Sequence, residues 1–207
     1  MRYHRIPDET VKRLPVYLRG VDHLVRQGQT KVSSKQLAEY LGVFPWQIRK
    51  DFSYFGDFGK PGVGYRLDHL DKHIRRILKL NFEHAVALIG VGNLGSALLA
   101  YPGFTAYSLR IVAAYDIAKK KIGKTACGIM IEDIANLERL REQKIDLAVL
   151  AIPEETAQEI TDRLVDVGVR GIVNFSSQHV QVPKKVKVIT IDIAMDLARL
   201  PYYVPVS

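Results

Sequence analysis

Residues 84–100, HAVALIGVGNLGSALLA, contain the pattern that decides the fold of the larger part of this chain. Residues 84–90 are short, aliphatic and partly β-branched, which predicts a buried parallel strand ending in glycine. A glycine-rich loop follows, and residues 96–100 predict a helix. The loop consists of Gly90, Val91, Gly92, Asn93, Leu94 and Gly95. In such a unit the glycines permit a tight turn, close approach to a pyrophosphate, and packing of helix on strand, so the loop predicts a dinucleotide site.

An acidic residue strengthens this interpretation. Residues 109–115 predict a second strand, which leads into Asp116, 21 residues beyond Gly95. A carboxylate at this position accepts hydrogen bonds from the adenine ribose and repels a 2′-phosphate, which favours NAD over NADP. Lys119, Lys120 and Lys121 weaken that distinction. The alternative is a Rossmann domain that binds a different nucleotide or none.

Three more strands are predicted at residues 146–152, 170–175 and 186–190, alternating with helical stretches. This alternation predicts an α/β, Rossmann-type, doubly wound parallel sheet over residues 84–190. Such folds bind ligands at the carboxyl ends of their strands. Ala151, Pro153 and Asn174 follow two of these strands, and we expect them to contact the cofactor.

The first part of the chain is basic. Residues 1–83 contain 16 Lys and Arg against 9 Asp and Glu, whereas residues 84–207 contain 14 against 13. Nearly all of the net charge of +8 therefore belongs to the N-terminal part. Because phosphate neutralisation supplies most non-specific DNA affinity, this asymmetry indicates a nucleic-acid-binding domain. We place that domain at residues 1–80.

Helical periodicity organises these residues. Val11, Leu14, Leu18, Val21 and Val25 predict the apolar face of a first helix over residues 8–26, which ends near a glycine at position 28. Leu70, Ile74, Ile77 and Leu78 predict the helix that closes the domain.

Two short helices lie between them. Ser33 and Gln36 predict a capping box that opens the first, which runs to residue 41. Gly42 permits a turn, and Pro45 suits the first turn of a second helix. The arrangement is typical of a helix-turn-helix, whose second helix enters the major groove.

The second of these helices predicts the DNA contacts. If Ile48, Phe52 and Phe55 face the core, the polar side chains on its other sides are free to meet DNA. These are Gln47, Arg49, Lys50, Ser53 and Tyr54. The glycine-rich residues 56–66 predict a loop or hairpin, the wing of a winged helix, with Lys60 and Arg66 along the DNA backbone. The alternatives are a solvated face on an ordinary helical bundle, and a simple linker.

Several function classes are disfavoured. No run approaches the roughly 18 apolar residues of a membrane helix, and the first residues lack a signal peptide's apolar stretch, so we expect a cytoplasmic protein without membrane contact. The six histidines form no motif, and the single cysteine, Cys127, has no partner for a metal site. Little chain remains for a substrate domain, so we expect no catalytic residue. A small NAD-dependent oxidoreductase and a protein-interaction module remain the alternatives.

Four segments carry a resemblance that spans nearly the whole chain. They are residues 13–19 (RLPVYLR), 48–56 (IRKDFSYFG), 59–65 and 90–95. Together they resemble the Rex family of NAD-responsive redox repressors. The resemblance implies a homodimer that binds a palindromic operator in double-stranded DNA and releases it when NADH binds, so that fermentative or respiratory genes are expressed. NADH and NAD are the implied cofactors.

Residues 191–200 resemble the family's domain-swapped C-terminal helix, which inserts between the two domains of the partner subunit; we assign residues 191–207 to this helix and tail. The family's switch network of Asp, Tyr and Arg corresponds to Asp192, Tyr101 and Arg19, and Tyr101 also follows the glycine loop as a cofactor contact. At the start of the recognition helix the sequence Phe44-Pro45-Trp46 is bulkier than the family's pattern, which leaves the operator contacts there open.

Overall fold

The structure, a computed structural model, describes residues 6–56, 58, 59 and 62–204. The chain divides into two compact units, Met1–Phe82 and Glu83–Ser207. Among the described residues, no helix combines the length and apolar character that crossing a membrane requires.

The first unit is a small helical domain with one short β-ribbon. In chain order its elements are α1 (Asp8–Arg26), β1 (Lys31–Val32), α2 (Ser34–Leu41), α3 (Pro45–Ser53), β2 (Tyr65–Arg66) and α4 (Leu67–Ile77). β1 and β2 pair antiparallel, with Lys31 opposite Arg66 and Val32 opposite Tyr65. This ribbon was not predicted, because two residues are too few to show an alternating pattern.

Local signals set the helix ends as predicted. The Ser33 side chain accepts a hydrogen bond from the Gln36 backbone N–H, and the Gln36 side chain accepts one from the Ser33 N–H, so the capping box is confirmed. Gly42 ends α2 in the left-handed conformation, and Pro45 is the first residue of α3. These two helices form the predicted helix-turn-helix.

The buried face of α1 differs from the predicted one. Leu14, Leu18 and Val21 are fully buried, but Val11 and Val25 are exposed. Tyr17 is fully buried instead, and its polar tip finds a partner inside the domain. The predicted apolar face was therefore wrong at Val11 and Val25, and it omitted Tyr17, because a tyrosine can be buried once its hydroxyl is hydrogen-bonded.

The second unit is an α/β domain. Its elements are β3 (His84–Ile89), α5 (Asn93–Leu99), β4 (Leu109–Asp116), β5 (Thr125–Ala126), β6 (Ile129–Asp133), α6 (Arg139–Glu142), β7 (Leu147–Leu150), α7 (Glu154–Val167), β8 (Gly171–Asn174), β9 (Lys187–Thr190) and α8 (Ile193–Ala198), with 3-10 helices at Pro102–Tyr107, Ile134–Asn136 and Leu200–Tyr203. The seven strands lie in the order β5-β6-β4-β3-β7-β8-β9. All neighbours are parallel except β5 and β6, which confirms the predicted Rossmann-type sheet.

Alternate residues of the strands face two different layers. On one face, Ala87 and Ile89 pack in a core with Leu140 of α6 and Leu164 of α7. On the other face, residues such as Leu88 form a second core, against which Leu98 and Leu99 of α5 pack. β3 lies between β4 and β7, so the chain moves outward from it in both directions. The glycine loop after β3 therefore occupies the switch point where such sheets bind nucleotides.

Candidate nucleotide site and nucleic-acid interface

The three glycines of the loop after β3 have different surroundings. A Cβ atom added to Gly95 would collide with the Gly90 carbonyl oxygen, and one added to Gly90 would collide with the Ala151 carbonyl oxygen. Gly90 also has a φ of 91°, a conformation that side chains disfavour. A Cβ added to Gly92 meets no other atom within 4 Å. Gly90 and Gly95 thus allow the loop to pack, while Gly92 leaves space for a ligand.

Asp116 is tied to this loop. One carboxylate oxygen, Oδ2, accepts hydrogen bonds from the Val91 N–H and the Lys121 ammonium, both at 2.9 Å. The other, Oδ1, accepts one from the Ala118 N–H at 2.8 Å. Burial alone would raise the pKa of Asp116, but the hydrogen bonds from Lys121, Ala118 and Val91 outweigh it and hold that pKa below its usual range. The side chain is therefore a buried carboxylate paired with a lysine.

A pocket of about 490 Å³ opens beside Asp116 at the carboxyl edge of the sheet. Its size lies within the range of small-molecule sites, about 300–1,000 Å³. Of the predicted cofactor contacts, it is lined by Gly90, Gly92, Asp116, Ala151 and Pro153. Other lining residues were not predicted from the sequence, among them Ile117, Ala118, Ile134, Thr156, Ile160 and Arg163. Thr156, Ile160 and Arg163 lie on one face of α7, Ile117 and Ala118 follow β4 directly, and Ile134 lies in the 3-10 helix Ile134–Asn136. Only the fold brings these three segments to the glycine loop.

The remaining predicted cofactor contacts lie elsewhere in the unit. Val91 is buried and offers its N–H to Asp116, while Asn93 and Leu94 are exposed in the first turn of α5. Asn174 is fully buried; its Oδ1 accepts from the Ser176 N–H and hydroxyl, and its Nδ2 donates to the Gln178 carbonyl. The Asn174 side chain therefore holds its own loop, and its contact with a cofactor stays a prediction.

In the first unit, α3 has the two-sided character that was predicted. Ile48 and Phe52 are buried, whereas Phe55 lies half-buried in the turn after the helix. Of the predicted DNA contacts on this helix, Arg49, Lys50 and Ser53 are exposed, and Gln47 and Tyr54 are half-buried. Arg49 donates a hydrogen bond to the Ser34 hydroxyl at 3.0 Å, and Gln47 donates one to Asp51 at 3.2 Å.

The wing residues are only partly described. Lys60 lies outside the described residues. Arg66 is exposed at the end of β2 and pairs with Asp68 at 2.7 Å. Because this pair is exposed, Arg66 can leave Asp68 for a phosphate at little cost.

A buried hydrogen-bond network, which was not predicted from the sequence, fixes α3 on α1. Asp51 is fully buried and accepts hydrogen bonds from the Thr10 hydroxyl at 2.9 Å, the Tyr17 hydroxyl at 2.5 Å, and two Arg13 nitrogens at 2.6 and 2.8 Å. Burial would raise the pKa of Asp51, but the hydrogen bonds from Arg13, Tyr17 and Thr10 outweigh it and lower that pKa. Burial and the hydrogen bond to Asp51 raise the pKa of Tyr17.

The three residues of the expected switch network occur in both units. Arg19 is exposed on α1. Tyr101 is 58% exposed and packs edge-on against Phe104, while Asp192 caps α8 by accepting a hydrogen bond from the Met195 N–H. Neither Tyr101 nor Asn174 lines the pocket beside Asp116.

Two exposed surfaces of the second unit are unusually apolar. One is the C-terminal segment, and the other is a groove on one face of the sheet. Within the described part of α8 and the 3-10 helix after it, no residue is buried. Its large exposed side chains are Ile193, Met195, Leu197, Leu200, Tyr202, Tyr203 and Val204. A separate apolar groove of about 190 Å³ runs over the α5 side of the sheet, lined by residues including Phe104, Val149 and Ile189.

Comparison with known proteins identifies this combination of units. Residues 5–53 match the family described as putative DNA-binding protein N-terminus, and residues 81–178 match the family described as CoA binding domain. The redox-sensing transcriptional repressor Rex of Chloroflexus aurantiacus is 41% identical over 198 residues, which cover 95% of this chain and 93% of that protein. The protein of the same name from Geobacillus sp. strain WCH70 is 42% identical over 203 residues, covering 98% and 94%.

Solved structures agree with these relatives. The crystal structure of RSP in complex with β-NAD⁺ and operator DNA superposes with a TM-score of 0.91 at 31% identity, covering 96% of this chain and 92% of that one. RSP in complex with β-NADH superposes with a TM-score of 0.87 at 29% identity, covering 96% and 94%. These Rex relatives and RSP are repressors rather than enzymes, in agreement with the expectation from the sequence. The chain therefore belongs to the Rex family of redox-sensing transcriptional repressors.

Proposed function

We propose that this chain binds a palindromic, double-stranded operator as a homodimer and releases it when NADH occupies its Rossmann unit, so that fermentative or respiratory genes are expressed. We place this activity in the cytoplasm, where the operator lies. The observation that carries the proposal is a helix-turn-helix joined in one chain to a glycine-loop pocket of about 490 Å³. The RSP structure with β-NAD⁺ and operator DNA, which shares this arrangement of elements, supports it.

On the DNA side, α3 is the proposed recognition helix. Arg49 and Lys50 are exposed and reach guanine edges or phosphates, while Gln47 suits adenine and Ser53 and Tyr54 suit phosphate oxygens. Lys60 and Arg66 would add backbone contacts from the wing. The buried Asp51 network supports this role, because it holds α3 rigidly on α1 before DNA arrives.

On the nucleotide side, we propose that NADH and NAD bind with the pyrophosphate over Gly92 and the adenine ribose at Asp116. A carboxylate offers about four acceptor positions. Val91, Lys121 and Ala118 occupy three of those of Asp116, so one ribose hydroxyl can bind as the structure stands. A second hydroxyl requires Lys121 to move away. The bound nicotinamide cofactor supplies the redox sensitivity, and the protein's part is to recognise it.

The homodimer is supported by the exposed apolar side chains of residues 193–204. Exposed apolar patches of this kind mark interaction surfaces. We propose that residues 191–204 belong to the swapped helix and tail that the partner subunit receives; the rest of the predicted segment, residues 205–207, lies outside the described residues. In this arrangement Asp192 and Tyr101 act with Arg19 as the switch.

The switch needs only two arrangements of the dimer. If NADH binds one arrangement better and the operator binds the other, each ligand weakens the other by the same factor. Two recognition helices must match half-sites about 34–36 Å apart, so a small rotation between subunits is sufficient to release DNA.

Fluorescence anisotropy of a labelled operator, selected from random DNA by the protein itself, tests the proposal. At a fixed salt concentration, micromolar NADH should release the operator, and the same concentration of NAD should not. If DNA binds but neither nucleotide releases it, the proposed switch is wrong. If no duplex is selected, the proposed DNA binding is wrong.

A further inference from the structure

Two aromatic side chains stand exposed at the start of α3. Phe44, the residue that precedes the helix, is 67% exposed, and Trp46, its second residue, is 52% exposed. Their rings stack with centroids 6.1 Å apart and planes 17° apart. The two rings thus form one aromatic surface, which we call the Phe44–Trp46 pair.

The pair is held in place by the backbone beneath it. The Phe44 carbonyl accepts hydrogen bonds from the Gln47 and Ile48 N–H groups, so Phe44 begins the helix. Pro45, between the two rings, restricts the chain at the first helical position. Ile48 is fully buried and fixes the orientation of the helix. The backbone that carries the two rings is therefore fixed before a partner binds.

The position of the pair identifies the kind of partner. The N-terminal residues of a recognition helix are those that contact base edges in the major groove. Arg49 and Lys50, one turn further along, supply charge that favours DNA over an apolar protein surface. The pair therefore continues the proposed DNA-binding surface.

The chemistry of the rings narrows the choice of base. Phenylalanine has no hydrogen-bonding group, and tryptophan has a single N–H donor at the edge of its ring, so the ring faces of the pair cannot read the donor and acceptor pattern of a base edge. The one apolar group that the major groove displays is the C5-methyl of thymine, which apolar side chains contact.

We propose that the Phe44–Trp46 pair reads thymine methyl groups in each operator half-site. This inference rests on the proposed DNA binding and adds a determinant of sequence preference to it. It assigns the hydrogen-bonding contacts to Gln47, Arg49 and Lys50, and the apolar contact to the pair.

The test removes the methyl from the DNA. Each thymine of the selected operator is replaced in turn by deoxyuridine, which keeps every hydrogen-bonding group. At one or two positions per half-site, the natural chain should lose about fourfold in affinity for each buried methyl. Phe44→Ala or Trp46→Ala should bind the natural operator more weakly and lose this sensitivity at the same positions.

Tyr40→Ala is the matched control, because Tyr40 is another exposed aromatic residue of the same unit, with an exposed fraction of 47%. It should keep the full sensitivity to deoxyuridine. The inference is overturned if no thymine replacement weakens the natural chain, or if both alanine variants retain the same sensitivity, as they would if the pair bound a protein. Failure to select any duplex would instead refute the proposed DNA binding.

Discussion

Replacing Asp51 with alanine should destabilise the first unit, because Asp51 is the common acceptor of a buried hydrogen-bond network. The substitution leaves the Thr10 and Tyr17 hydroxyls and the Arg13 guanidinium without their acceptor. Thr10 and Tyr17 are buried, so water cannot replace the lost bonds. Removing one partner of a buried ion pair costs about 3–5 kcal/mol. Arg13 keeps 28% of its side chain exposed, and we therefore expect about 3 kcal/mol, at the lower end.

The single tryptophan makes the measurement selective. Trp46 is the chain's only tryptophan and lies in the first unit, so its fluorescence reports the unfolding of that unit within the full chain. In urea, 3 kcal/mol should lower the unfolding midpoint by about 1–3 M with an unchanged slope. Operator affinity should also fall, because α3 loses the hydrogen bonds that fix it on α1.

Asp68→Asn provides the matched control, since it removes an equivalent carboxylate charge from an exposed ion pair with Arg66. The midpoint of this variant should stay close to that of the natural chain. If Asp51→Ala lowers the midpoint no further than the control does, the network does not hold α3, and the argument from buried hydrogen bonds is refuted.

Four more outcomes are expected. Gly92→Val should fold normally, because its Cβ meets open space, but weaken NADH binding about 10- to 100-fold, as overpacking costs about 1–3 kcal/mol. Lys50→Ala should weaken operator binding, reduce the salt dependence by about one phosphate contact, and leave NADH affinity unchanged. Lys121→Ala should tighten NADH binding, measured by calorimetry, since it frees an acceptor position on Asp116. The stabilisation from Asp51, whose folded pKa is lowered, should be complete above about pH 4 and lost as the pH falls further.

Each of these has a contrary result. Retained NADH affinity in Gly92→Val would refute the placement of the pyrophosphate. Lys184→Ala, a change in the other unit, is the control for Lys50→Ala. If the two variants bind the operator equally well, Lys50 does not contact the DNA. Lys119→Ala is the control for Lys121→Ala. Equal changes in NADH affinity would show that the loss of a positive charge, and not the freed acceptor position on Asp116, is responsible. A stability difference between Asp51→Ala and the natural chain that does not shrink in acid would contradict the pH argument.

Signals that act over a few residues were readable from the sequence. The capping box joins Ser33 and Gln36, and the strand, loop and helix around residues 84–100 follow one another directly. Each such element depends on neighbours in the chain, through a hydrogen bond, a proline or a glycine, so its sequence predicts its structure. The segregation of positive charge in the first 83 residues is equally visible without a structure.

The tertiary structure decided which polar groups remain free. Thr10 and Asp51 are 41 residues apart, and neither has a local pattern that marks it as buried and paired. Likewise, no local pattern shows that the Asn174 side chain is hydrogen-bonded within its own loop. Lys121 was recognised only as a nearby charge until the fold paired it with Asp116. A sequence determines which side chains can bind. Whether they are already occupied depends on contacts between distant segments, which form only when the chain folds and buries them.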